Sequence, residues 1–153
     1  MVAVASAFHW LDHERFYAEV RRVAKPGGIL AAWGYKMPMV SPEVEAVVRR
    51  FDTQVLDGFW LPQTKHALDG YRMIPFPFIE IETPPFQMSH AWDCDRLLGY
   101  LGTWSASFRY RKNKGRDATD EIRDEMKAAW GDPRQEREVV LDLHMRVRRI
   151  LAR

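Results

Sequence analysis

The sequence predicts an α/β protein, and three observations carry that expectation. The apolar run Val2-Ala3-Val4-Ala5-Ser6-Ala7-Phe8 ends in the turn His9-Trp10-Leu11-Asp12 and reads as a strand buried on both faces. A second run, Ile29-Leu30-Ala31-Ala32-Trp33-Gly34-Tyr35, follows one helix later, which makes a βαβ unit with parallel, neighbouring strands. Near the other end, Val139, Leu141, Leu143, Met145 and Val147 alternate with Val140, Asp142, His144, Arg146 and Arg148. That period of two predicts a strand with one solvated face.

The elements between follow from caps and stripes. Asp12 is placed to cap a helix whose apolar residues Phe16, Val20 and Val23 share a face, and Lys25-Pro26-Gly27-Gly28 ends it. Ser41-Pro42 supplies a cap and a first-turn proline for a helix striped by Val44, Val47, Val48, Phe51 and Val55. Residues 57–77, rich in proline and aromatics, predict a packed loop with a helical turn. Phe78-Ile79-Glu80-Ile81-Glu82 alternates as a strand, Pro84-Pro85 breaks it, and 86–92 can continue it. Asp93 caps a helix carrying Leu97, Leu101, Trp104 and Phe108, and residues 109–116 then read as a basic, solvated connection. A further helix over 118–130 bears Ile122, Met126 and Trp130 and stops at Gly131-Asp132-Pro133.

Composition bounds the function classes. The chain has 153 residues, 46% hydrophobic and 29% charged, enough for one domain, 1–153, with a core of its own. A net charge of +2 gives no electrostatic case for nucleic acid or a membrane surface as partner. The lone Cys94 excludes an internal disulfide framework and suits a reducing cytoplasm, and no basic signal region or membrane-length apolar stretch is present. Six tryptophans, eight phenylalanines and five tyrosines exceed ordinary need; part is core, and the rest is what an apolar ligand pocket requires.

Several segments are familiar in this order. Ala5-Ser6-Ala7-Phe8-His9-Trp10-Leu11-Asp12, Phe16-Tyr17-Ala18-Glu19 and Arg21-Arg22-Val23-Ala24-Lys25-Pro26-Gly27-Gly28 resemble a class I S-adenosylmethionine-dependent methyltransferase of the trans-aconitate methyltransferase-like, type 11 group. Gly70-Tyr71-Arg72, Pro75-Phe76-Pro77-Phe78 and Gly99-Tyr100-Leu101-Gly102-Thr103-Trp104-Ser105 are similar to its later part. The resemblance implies a Rossmann-like sheet of order 3-2-1-4-5-7-6, of which this chain supplies strands four to seven, the last antiparallel, with helical cap regions at 41–75 and 93–130. It also implies S-adenosylmethionine as cofactor. The family's glycine-rich loop after strand one and the acidic residue ending strand two have no counterpart here, since Gly27-Gly28 reads as a turn before strand five.

By that resemblance, Ser6, His9 and Trp10 border the cofactor at the carboxyl end of the first strand, the edge where open α/β sheets place ligands. Ser6 stands where the family commonly has glutamine. Trp33 and Tyr35 would line the same cleft, Tyr100, Trp104 and Ser105 the acceptor pocket, and Trp60 a further aromatic wall. Each aromatic is equally readable as core, and His9-Trp10 as a packed strand-to-helix turn. His9 and His13 share an i, i+4 spacing but lack a third ligand, so no metal is expected. The acids flanking Cys94 raise its thiol pKa, and Asp93 reads as a cap. No catalytic base or triad stands out.

Three readings of function follow. The first is a methyltransferase-like protein for small carboxylates or hydroxyls, inactive as an isolated chain because the donor-binding half is absent. The second is a non-catalytic module, homodimeric through the exposed edge of residues 2–8. The third is a half-enzyme completed by a separate chain. A fragment read from an internal methionine is also compatible with the start of the sequence.

Overall fold

The computed structural model describes residues 1–150. Its strands are β1 (Val2–Ala5), β2 (Ile29–Tyr35), β3 (Ile79–Ile81), β4 (Phe86–Trp92) and β5 (Arg137–Arg149). Its α-helices are α1 (His13–Val23), α2 (Pro42–Arg50), α3 (Thr64–Leu68), α4 (Cys94–Gly102), α5 (Ser105–Lys114) and α6 (Arg123–Trp130). The chain forms two compact units. One comprises Met1–Lys36, Pro62–Phe86 and Asp142–Arg153; the other comprises Met37–Leu61 and Gln87–Leu141.

The first unit carries the sheet in the order β1-β2-β5-β3. β1 and β2 are parallel, with Val2 opposite Leu30 and Ala5 opposite Trp33. β5 lies between β2 and β3 and runs antiparallel to both. This is the expected order four, five, seven, six: α1 carries the chain back to the starting end of β1, so β2 runs parallel to it, whereas β5 enters from the opposite end. Asp12 caps α1 by accepting the Arg15 amide at 3.2 Å, and Tyr17 and Val20 bury its inner face. Phe8, Tyr17, Val20, Leu30, Ala32, Tyr71, Ile74 and Ile150 make the core. Each fully buried large side chain there contributes about 1.5–3 kcal/mol.

Three expectations for this unit need correction. β1 is half-buried: Val2 and Val4 pack on the core while Ala3 and Ala5 are exposed, so it covers one face rather than two. Val23 is 52% exposed, because the helix face that meets the sheet is set by Tyr17 and Val20. The polar side of β5 is only partly solvated. Arg148 is 6% exposed, and both Arg146 and Arg148 stack on Phe76, at 4.8 and 5.2 Å from its ring centroid. Arg146 also donates to the carbonyls of Tyr71 and Ile74, which fixes the loop over this face. Long guanidinium side chains satisfy their charge at the tip while their stems pack, so an alternating pattern alone does not reveal such a cover.

In the second unit α2 continues into a π-helical turn, Phe51–Val55, and Val44, Val47, Val48 and Phe51 are buried as the stripe requires. Ser41 precedes α2 with extended backbone but makes no side-chain cap hydrogen bond. Asp93 does cap α4, accepting the Arg96 amide at 2.8 Å. The single helix expected over Asp93 to Phe108 is broken at Thr103-Trp104, where the buried Ser107 hydroxyl donates to the Leu101 carbonyl. The basic stretch expected as a loop is α5 instead. Arginine and lysine are good helix formers, and the helix ends where Gly115 takes the left-handed conformation (φ 72°). Residues 118–121 form a 3-10 turn ahead of α6, and Ile122, Met126 and Trp130 are buried as expected.

Candidate functional site

The carboxyl ends of β1 and β2 build the candidate site. Ser6 follows β1 with φ 48°, a strained conformation for a non-glycine residue, and its amide donates to the Trp33 carbonyl at 2.7 Å. This ties the turn to β2 and sends the next residues into the 3-10 turn Phe8–Trp10. Phe8 is fully buried, His9 is 8% exposed, and Trp10 is 43% exposed. The His9 and Trp10 rings lie 4.4 Å apart. Ser6, His9, Trp10 and Trp33 are thus gathered at one strand edge.

Trp33 and Tyr35 alternate with Gly34, so they leave the opposite face of β2 from the one that Gly34 presents. They share the edge with His9 but not its face. Behind His9 on the Gly34 side stand residues that no motif singled out. The Tyr71 ring stacks against His9 at 6.0 Å and meets the His144 ring edge-on at 5.0 Å. A Cβ at Gly34 would lie 2.6 Å from His144 Nε2 and 3.1 Å from the Tyr71 hydroxyl, so only glycine admits both. Tyr71 itself has φ 63°, following Gly70 at φ 71°, and its amide closes the end of α3 by donating to the His66 carbonyl at 2.7 Å. The left-handed pair turns the Tyr71 ring inward, beneath Phe8 and His9.

The polar atoms of this cluster are buried without hydrogen-bond partners: His9 Nδ1, His66 Nδ1, the Tyr71 hydroxyl, and both ring nitrogens of His144. Burial, then the neighbouring His66 and His144, hold His9 below the ordinary histidine pKa. His144 is likewise lowered by burial and then by Lys36, with Asp69 opposing. Burial pushes Tyr71 up to about 12, against the nearby Phe8 amide, and the Tyr35 hydroxyl adds to the rise. The His9, His144 and Tyr71 rings are therefore favoured in their uncharged forms at neutral pH.

Of the remaining candidates, all but His13 belong to the second unit. Trp104 lies 5.8 Å from Trp60 and 6.2 Å from Tyr100, each half-buried on the apolar core, and Ser105 is exposed at the start of α5. Cys94 is fully buried; burial first, then Asp95 and Asp93, raise its thiol pKa, which leaves it unreactive. His13 Nε2 lies 3.0 Å from the Phe8 carbonyl, and among the described residues no three His, Cys, Asp or Glu side chains group as metal ligands. Nor is any described helix long and apolar enough to cross a membrane.

Sequence reasoning missed Gly34, His66, Tyr71 and His144 as a group. Gly70-Tyr71 was visible as a turn and His144 as one residue of an alternating strand, but only the register of β5, with Gly34 opposite His144, brings them together.

Comparison with known proteins gives consistent matches. A family model described as a methyltransferase domain matches residues 1–32. A Dictyostelium discoideum protein described as a candidate methyltransferase is 24% identical over 133 residues, which cover 85% of this chain and 51% of that protein. The solved structure of a candidate type II methyltransferase from Anaeromyxobacter dehalogenans is 44% identical, with a TM-score of 0.87, and the match covers 99% of this chain and 64% of that one. The chain thus spans about half the length of the curated relative it matches. Its first 32 residues match the methyltransferase-domain model, and the chain shares its mixed α/β fold with the Anaeromyxobacter structure.

Proposed function

We propose that this chain provides the acceptor-facing part of a methyltransferase acting on a small molecule with a hydroxyl or carboxylate acceptor. The observation that carries this reading is the aromatic carboxyl edge of a methyltransferase-like sheet, formed by His9, Trp10, Trp33 and Tyr35, with the His9 ring favoured neutral. S-adenosylmethionine supplies an electrophilic methyl group on a sulfonium cation. Aromatic faces attract such a cation, and a neutral imidazole does not repel it. Its exposure beside His9 supports Trp10 as the residue that holds that end of the donor, with Ser6 tied to β2 in the same turn.

The fit is partial. The donor's carboxylate and ribose call for a glycine-rich turn and an acid. Gly27 and Gly28 instead form the turn into β2, where the Gly27 amide donates to the Ile150 carbonyl at 2.9 Å. These residues by themselves are therefore proposed to transfer no methyl group, and to do so together with a donor-binding half. Their own part is to orient the acceptor in line with the methyl group and keep water away.

Calorimetric titration of S-adenosylmethionine into the isolated chain tests the first part; micromolar binding overturns it. Labelled methyl transfer to a panel of small acids and alcohols, measured with both halves present, tests the second. Complete absence of transfer there sinks the methyltransferase reading. A second reading, a homodimer paired through β1, is favoured by one observation: β1 hydrogen-bonds to β2 alone among the described strands. Light scattering that returns a monomer rejects it.

A further inference from the structure

Five buried polar atoms without partners belong to four residues of the first unit: His9, His66, Tyr71 and His144. Leaving a buried polar atom unpaired costs on the order of 1–3 kcal/mol, so a cluster of them calls for a reason. Metal binding does not supply it, because among the described residues no three suitable ligands group together. The backbone adds its own cost. A tyrosine at φ 63° is strained, and the strain is held by the end of α3 on one side and by contact with the Gly34 face of β2 on the other.

We propose that Tyr71 and His144 are positioning residues that fix the His9 ring at the carboxyl end of β1, through a buried chain of ring contacts that only glycine at position 34 permits. This rests on the reading of that edge as the place of methyl transfer. The chain of contacts is continuous: His9 stacks on Tyr71 at 6.0 Å, Tyr71 meets His144 at 5.0 Å, and His144 and Tyr71 both press on the backbone at Gly34. The titratable groups around His9 are Tyr71, His66 and His144; those around His144 are Tyr71, Lys36 and Asp69; Tyr35 acts on Tyr71 only electrostatically. Lys36 is itself paired with Asp142 at 3.4 Å. No carboxylate is among the groups that act on His9, so its surroundings favour the neutral ring. A fixed, uncharged imidazole leaves the sulfonium of a methyl donor unopposed, whereas a mobile one gains charge as the pH falls and competes with it.

The test follows the histidine rings by NMR in the full chain, labelled at histidine and tyrosine, from about pH 8 down to about pH 5 around the ordinary histidine value. His9 signals are assigned with His9→Gln. In the unaltered chain, ring-to-ring Overhauser contacts from His9 to Tyr71 and from Tyr71 to His144 are expected; their absence overturns the proposal without any variant. In His144→Gln and in Gly34→Ala, which displaces the same imidazole by contact, the His9 midpoint moves upward and its ring signals shift toward those of a free imidazole. Tyr71→Phe keeps the ring contacts and leaves the His9 midpoint in place. An unchanged His9 titration in a folded His144→Gln or Gly34→Ala chain rejects the positioning role. S-adenosylhomocysteine added to both halves together reads the other question: no response at His9 or Trp10 removes the methyltransferase reading and leaves the ring chain standing.

Discussion

In the second unit, Phe51, Leu97, Leu101, Ile122, Met126 and Trp130 are sealed from solvent, and the indole N–H of Trp130 donates to the Gln135 carbonyl at 2.9 Å. In the first unit the interior holds His9, Tyr71, Arg148 and the ring nitrogens of His144 beside its aliphatic residues. Of the eight buried side-chain polar atoms without partners among the described residues, seven lie in the first unit, and Ser41 Oγ is the eighth. The two units thus spend their stability differently. One gains from almost every buried group, while the other retains buried groups that cost free energy and places them behind the strand edge where the family resemblance sets its chemistry.

The largest effect expected from this contrast is in the second unit. Trp130→Ala removes a fully buried indole and its hydrogen bond and should cost about 3–5 kcal/mol, read as a lower urea midpoint. A loss below about 1 kcal/mol would show that this core is loosely packed after all.

Gly34→Ala comes next, now in the first unit. The added methyl meets the His144 ring at 2.6 and 2.9 Å, and the overpacking should cost about 1–3 kcal/mol. If the variant is as stable as its parent, the His144 ring is free to move and the ring cluster is not tightly held.

Acid should separate the units without any mutation. His9 and His144 bind protons more weakly folded than at the ordinary value near 6.5. Below that value the unfolded chain therefore holds more protons than the folded one. The stability these two groups contribute is complete above about pH 6.5 and is lost as the pH falls through that value toward their lower folded ones. Amide exchange compared at neutral and mildly acidic pH should show faster opening around Phe8, Tyr71 and β5, after correction for the intrinsic rate, with little change around Trp130. Equal change in both regions contradicts the assignment of the acid response to the ring cluster.

The smallest effect is expected at Ser6. Replacing it by glycine relieves the φ 48° conformation, and the greater freedom of the unfolded chain offsets much of that gain. The net change should stay within about 1 kcal/mol, and a larger loss would assign the Ser6 hydroxyl a structural bond.

Much of this architecture was legible because its signals are local. The βαβ unit shows in two apolar runs separated by a capped helix, and β5 shows in its alternation. The stripes Val44-Val47-Val48-Phe51 and Ile122-Met126-Trp130 are buried as their spacing requires. Other features were illegible for physical reasons. The break at Thr103-Trp104 depends on a Ser107 hydroxyl reaching back to Leu101, and the basic run of α5 carries no apolar stripe to announce a helix. The candidate site was half visible. His9 and Trp10 stand next to a recognisable strand end, whereas Tyr71 and His144 join them from positions 62 and 135 residues further along the chain.

The sequence by itself determined the strand and helix types, the parallel start of the sheet and the family resemblance, because these rest on periodicity, caps and short motifs that act within a few residues. Tertiary structure alone decided which polar residues are buried together. The pairing of Gly34 with His144 and the left-handed turn at Gly70-Tyr71 set that outcome. Strand register carries distant residues onto one face, and no local pattern in the chain encodes that register.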